Sequence, residues 1–292
     1  MTGPAITQAM IDAYDEYTHL TLDRRGFMEK LTRLAGSGAA AAVIVPMLAA
    51  NQARAAIVAD DDKRLKAEDI TYPGAAGEMK GYLVHPADQS GKLPAVIVIH
   101  ENRGLNPHIR DVARRLALEG FVALAPDFLS PQGGTPADED KAREMFGSMD
   151  AAQTIANGVA TVAFLKTNEL SNGKVGAVGF CWGGGLVNTL AVNAPELSAG
   201  VAYYGAQPKD EADIARIKAA LMLHYAGKDE RINAGIDAYK AALEKAGKEF
   251  QVFVYDGAQH AFNNDTSEAR YDKAAADLAW GRTVAFLKDK LG

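Results

Sequence analysis

The sequence predicts one α/β domain built on a mostly parallel sheet, and three observations predict it. From about residue 69 onward, short β-branched runs alternate with stretches of helical periodicity. Runs such as Leu93–His100 and Phe121–Pro126 are apolar throughout, as strands covered on both faces are. The stretch Lys174–Gly185 reads as a strand, a sharp glycine-flanked turn and a helix start, with Cys181 at the apex. The chain has 292 residues, 48% hydrophobic and 23% charged, with a net charge of −6. That composition is globular and offers no basic face for nucleic acid. Cys181 is the single cysteine, so an internal disulfide is excluded. His19, His85, His100, His108, His224 and His260 are scattered without metal-ligand spacing, and no metal or cofactor is expected.

Residues 1–55 differ from the rest. Asp23-Arg24-Arg25-Gly26-Phe27-Met28 is followed by a weakly hydrophobic Ala/Gly-rich run to Ala50 and by Ala53-Arg54-Ala55. Consecutive arginines, a modest apolar run and a small-x-small site are the pattern of a twin-arginine export signal, cleaved after Ala55. On that reading the export machinery is a partner, the protein is periplasmic or secreted, and residues 56–292 are the mature domain. The run is too short and too rich in Gly and Ala for a stable membrane span. Met10–Leu20 has the spacing of an amphipathic helix. The opposing reading is helices that pack on the domain or a second subunit, in a cytoplasmic protein.

The elements then follow in order. Asp69–Tyr72 and Met79–Val84 form a hairpin around Pro73-Gly74. Leu93–His100 is a buried strand, followed by the polar loop Glu101–Gly104 and a helix over Pro107–Glu119 that Gly120 stops. Phe121–Pro126 is a strand, Pro136–Met149 a charged helix, and Ala151–Leu170 an amphipathic helix stopped by Ser171-Asn172-Gly173. After the elbow strand and a helix to Ala194 come strands at Leu197–Tyr204 and Ala219–Tyr225. A helix over Ile232–Lys245, a strand at Phe250–Tyr255 and a closing helix over Arg270–Leu291 complete the domain.

Ligands of such a sheet bind beyond the carboxyl ends of its strands. Three of those ends carry Cys181, Asp229 and His260. Nucleophile, acid, histidine is the chain order of an α/β-hydrolase triad, and Gly179-x-Cys181-x-Gly183 has the form of its nucleophile elbow. His260 would take the thiol proton and Asp229 would orient the imidazole. The backbone N–H groups of Trp182 and Asn102 are the candidate oxyanion donors.

From about Asp69 to its end the chain resembles the dienelactone hydrolase family. The residues that carry the resemblance are His100-Glu101-Asn102-Arg103-Gly104, Gly179-Phe180-Cys181-Trp182-Gly183-Gly184, Tyr203-Tyr204-Gly205, Gly227-Lys228-Asp229 and His260-Ala261-Phe262. It implies an α/β-hydrolase sheet of about eight strands without a large cap domain. It also implies Cys181 as nucleophile, Asp229 and His260 as its partners, and Glu101 as a thiol switch. The reaction expected is cleavage of a small-molecule ester or lactone through a thioester on Cys181. The sequence departs from the family where the dienelactone carboxylate is held by two arginines: Leu129–Gly134 contains none, and Asn264 stands four residues after His260. Arg103 and Asn264 are the substrate-binding candidates that remain. An acyltransferase, a redox thiol or a non-catalytic binding protein on the same fold is the alternative to a hydrolase.

Overall fold

The computed structural model describes residues 6–19, 21–49 and 57–292. The expected hairpin is β1 (Leu65–Gly74) and β2 (Gly77–Pro86), longer than the apolar runs alone suggest because pairing continues to the turn. Then follow β3 (Leu93–Ile99), β4 (Val122–Asp127), β5 (Ser171–Phe180), β6 (Leu197–Tyr203), β7 (Ala220–Ala226) and β8 (Phe250–Tyr255). They form one 8-stranded sheet in the order β1-β2-β4-β3-β5-β6-β7-β8. β2 pairs antiparallel with β1 and β4, and the remaining pairs are parallel.

Helices cover both faces, which is why β4 and β7 are buried along their whole length. Helices α4 (Pro107–Leu118) and α11 (Lys273–Leu291) close one face through Ile109, Val112, Leu116, Phe286 and Leu287. On the other face lie α6 (Ala151–Thr167), α7 (Trp182–Asn193) and α10 (Ile236–Lys245), contributing Val162, Leu165, Val187, Leu190, Tyr239 and Leu243. α5 (Glu139–Gly147) sits in the β4–α6 connection, started by Asp138, which accepts from the N–H groups of Asp140 and Lys141. Among the described residues no large cap domain interrupts the sheet.

Two elements differ from expectation. The helix expected over Ile232–Lys245 is two helices, α9 (Glu230–Asn233) and α10. At the break the Ile232 carbonyl accepts from Gly235 N–H (3.2 Å) and from Gln207 Nε2 (3.1 Å), a tight turn held by a side chain where the i→i+4 ladder would run. α8 (Glu211–Arg216) is a short helix that periodicity does not announce, capped by Asp210.

The N-terminal segment folds as three helices, α1 (Gln8–Thr18), α2 (Arg24–Ala35) and α3 (Gly38–Leu48). Asp23 caps α2 by accepting from Gly26 N–H, and Ser37 caps α3 by accepting from Ala40 N–H. Met10, Tyr14, Phe27, Leu31, Ile44 and Leu48 form a small core of their own. This unit sits at the carboxyl edge of the sheet. Asn102 Nδ2 donates to Thr18 O (2.5 Å) and Arg103 Nη2 donates to Tyr14 Oη (3.0 Å). The guanidinium of Arg143 lies over the Tyr17 ring and that of Arg270 over Tyr14. The expected cleavage point after Ala55 lies outside the described residues. Among the described residues no single helix is long and apolar enough to cross a membrane. α2 and α3 meet that test only as a pair, bent by 111°.

Candidate active site

Cys181 occupies the turn between β5 and α7 with φ 55° and ψ −114°, a conformation that non-glycine residues rarely adopt. The strain is held by packing. A Cβ on Gly179 would lie 2.2 Å from Gly183 O, and one on Gly183 would lie 2.5 Å from both His100 O and Ile99 O. Only glycines let the helix start approach the strand this closely. Cys181 N–H donates to Tyr203 O (3.0 Å), fixing the turn against β6. The other described non-glycine residues with positive φ are Tyr204 and Ala261, both beside the same site.

His260 Nδ1 is 2.5 Å from Asp229 Oδ2, with both side chains buried. The carboxylate is an acceptor, so Nδ1 carries the proton and Nε2 faces Cys181. Asp229 also accepts from Ile232 N–H at 3.2 Å, which seats it at the start of α9. Burial works against charge on all three groups. It raises Asp229, but the charge and hydrogen bond of His260 bring that carboxyl below its ordinary value. It lowers His260, but Asp15, Cys181 and Asp229 together carry the imidazole well above the ordinary histidine value. It raises the thiol, but His19 and His260 bring Cys181 down to about 6.

His19, which no sequence motif separates from the other scattered histidines, is a member of this group. Its Nε2 lies 3.3 Å from Cys181 Sγ across 162 residues of sequence. Its ring meets that of His260 edge-on, with centroids 4.7 Å apart. Nδ1 is 2.7 Å from Asp15 O and 3.4 Å from Asp15 Oδ1. No motif spacing in the sequence signals such a contact. His19, Cys181 and His260 each offer a donor atom within 4.8 Å of the others, the one cluster of metal-ligand type found among the described residues.

The remaining expected residues divide into two sets. Asn102, Trp182, Cys181 and His260 line a cavity of about 520 Å³, together with His19 and Tyr204. Trp182 opens α7, so its N–H belongs to the first helical turn, where no intrahelical acceptor exists. Phe146, Met149, Ile155, Leu186 and Ile232 make much of the wall apolar, and Arg231 is its one Lys or Arg among the described residues. Glu101, Arg103 and Asn264 lie behind this wall. Glu101 Oε2 accepts from Asn264 Nδ2 (2.9 Å), and Asn264 Oδ1 accepts from Thr266. Burial raises Glu101, but Arg103, His108, Arg270 and His260 hold its carboxyl below the usual range. Arg103 is directed at Tyr14 and at Glu139, 3.6 Å away, and does not line the cavity. His100 stacks on Trp182 and accepts from Phe128 N–H through Nε2 (3.2 Å), bracing the loop that carries Asn102.

Residues 79–291 match the model of the Dienelactone hydrolase family. A protein of Escherichia coli (strain K12) named "Putative carboxymethylenebutenolidase" is 32% identical over 254 residues, covering 82% of this chain and 93% of its own. The crystal structure of a "Putative Dienelactone Hydrolase" from Klebsiella pneumoniae superposes with a TM-score of 0.70 at 29% identity, covering 77% of this chain and 98% of that one. The esterase rPPE resembles this chain in fold, with a TM-score of 0.66 at 16% identity over 100% of this chain and 99% of its own.

Proposed function

The chain belongs to the dienelactone hydrolase family and is a carboxylic ester hydrolase, and on that premise we propose that it cleaves a small ester or lactone through Cys181. The observation that carries the reading is the strained Cys181 turn at the floor of the cavity, with the His260–Asp229 pair beside it. Sγ attacks the carbonyl carbon and the C–O bond breaks as the leaving oxygen takes a proton from His260. The oxyanion rests on the N–H groups of Trp182 and Asn102, each such donor being worth roughly 3–4 kcal/mol in related sites. Water, deprotonated by His260, then attacks the thioester and releases the acid. Glu101 accepts from Asn264 behind the cavity wall, and its role as a thiol switch is carried over from the family resemblance. The largely apolar wall supports small uncharged esters and lactones over carboxylate-bearing ones.

The test is a burst experiment with an activated ester, followed by intact-mass analysis. The expected result is one acyl group on Cys181 that turns over in water, and loss of both burst and turnover in Cys181→Ala. An unmodified thiol in a chain that still hydrolyses the ester would overturn the reading. An adduct that persists until an alcohol arrives would make the protein an acyltransferase. Arg24 and Arg25 are exposed, with side chains 78% and 87% accessible, which supports recognition by the twin-arginine export machinery and a periplasmic or secreted location.

A further inference from the structure

The two imidazoles at Cys181 are not equivalent. His19 Nε2 is at hydrogen-bond distance from Sγ, whereas His260 Nε2 has no hydrogen-bond partner and borders the cavity. The tautomer of His19 is fixed by its other nitrogen. The carbonyl oxygen of Asp15, 2.7 Å from Nδ1, has no proton to give, so Nδ1 carries one. Nε2 therefore either accepts from a thiol or donates to a thiolate, and in both cases it acts on the sulfur. We propose that His19, delivered by the N-terminal helical unit, is a second catalytic imidazole that holds Cys181 as the thiolate, leaving His260 free to serve the leaving group and the water. This rests on Cys181 being the nucleophile.

The proton balance closes. At rest the Sγ proton sits on His19 Nε2, and the positive imidazolium faces the Asp15 carboxylate, 3.4 Å from Nδ1. In acylation the C–S bond forms and the C–O bond breaks, and His260 gives its proton to the alkoxide. In deacylation neutral His260 takes a proton from water, the hydroxide adds to the thioester carbon, and the C–S bond breaks. Sγ leaves as a thiolate already paired with His19, so the sulfur needs no proton at any step. A single imidazole would have to serve the sulfur and the leaving oxygen in turn, leaving the sulfur without a paired cation whenever its proton is on the leaving group; a second imidazole keeps that pairing throughout. In a lactone the division matters more, because the leaving alcohol stays tethered to the acyl group beside His260.

The charged and titratable groups around the sulfur come from every element packed there. Asp15 lies on α1, and Glu101 and Arg103 follow β3. Tyr204 follows β6, Asp229 and Arg231 follow β7, and Arg270 precedes α11. Among the described residues, His19 makes the direct hydrogen-bond contact with Sγ, at 3.3 Å, while His260 acts on the same sulfur from beside it. His19 also makes the N-terminal unit a working part of the site, which requires that residues 1–55 stay on the working chain: cleavage after Ala55, the expectation from the sequence, would remove His19 and leave Cys181 with His260 alone.

The experiment uses the full chain, with a chelator present so that no metal held by the same donor atoms alters the result. Thiolate absorbance near 240 nm and iodoacetamide alkylation are followed against pH in the parent, His19→Asn, His19→Ala and His260→Asn. The expected outcome is that both His19 variants move the thiol titration to higher pH. Once its midpoint passes neutrality, kcat/KM at neutral pH falls about tenfold for each further pH unit. Turnover should recover at higher pH. Added imidazole should restore His19→Ala, a rescue that a purely structural role would not give. Should His19→Asn fail to fold, His19→Ala with imidazole and Asp15→Asn supply the same readout. Unchanged thiol titration and unchanged kcat/KM in the folded His19 variants would overturn the inference. In that event a dead Cys181→Ala would still leave the cysteine mechanism standing, whereas an active Cys181→Ala would remove both.

Discussion

At the scale of single residues, the site is a contest between burial and charge that charge wins. A thiol only 8% exposed should resist ionisation, yet the imidazoles beside it bring it down to about 6. Nucleophilic attack needs the thiolate, so activity is lost as the pH falls through that value. His260, which Asp15, Cys181 and Asp229 hold well above its ordinary value, is favoured in the protonated form that supplies the proton for the leaving group. The pH profile of kcat/KM should therefore show an acid limb near 6 and a plateau that ends only when His260 loses its proton. Stopped-flow measurement across pH checks this, and an acid limb near the ordinary thiol value, about two or more pH units higher, would contradict it. Cys181, Asp229 and His260 were legible in the sequence because each follows a recognisable strand. The Gly179 and Gly183 spacing was legible because close backbone approach leaves no other residue type. His19 was not, since nothing local distinguishes a histidine that meets its partner only in the folded chain.

At the scale of elements, the strands read best. Uninterrupted β-branched runs have one physical meaning in a sheet covered on both sides, and β3, β4, β6 and β7 fall within a residue or so of the expected bounds. Where a boundary slipped, a tertiary contact takes part, as with Gln207 bonding the Ile232 carbonyl between α9 and α10. Of the N-terminal helices, α1 was legible in the spacing of Met10–Leu20 and α3 only as part of a weakly apolar run, while α2 and the seat of the unit were not, because that seat consists of scattered partners such as Asn102, Arg103, Arg143 and Arg270. Their hold on the domain is testable without touching the site. Leu31 is fully buried in the small core between these helices. Leu31→Ala should destabilise that unit by about 2–4 kcal/mol. Hydrogen exchange should quicken across residues 6–49 while the sheet stays protected. Equal loss of protection in both would mean that the unit and the sheet unfold as one.

At the scale of the whole molecule, the sheet brings the ends of β5, β7 and β8 to one edge, and the N-terminal unit closes over that edge. The paired arginines are exposed, Arg24 beside Asp140 and Arg25 beside Glu29, so on the proposed export reading the same segment would carry an address outward and an imidazole inward. Arg24→Lys with Arg25→Lys should leave ester hydrolysis in purified protein unchanged and should abolish transfer to the periplasmic fraction of a host with the twin-arginine route. Unchanged fractionation would set the export reading aside. The seat of α1 also has a temporal meaning. Gln8 bonds Gln259 across 251 residues, and the Arg270 guanidinium covers Tyr14. These partners leave the ribosome last, so the first helix made cannot dock until nearly all the chain has been synthesised. Closing the sulfur contact is thus a late event in the life of the chain: on the proposed mechanism the thiol gains its second imidazole only once the final loop is in place.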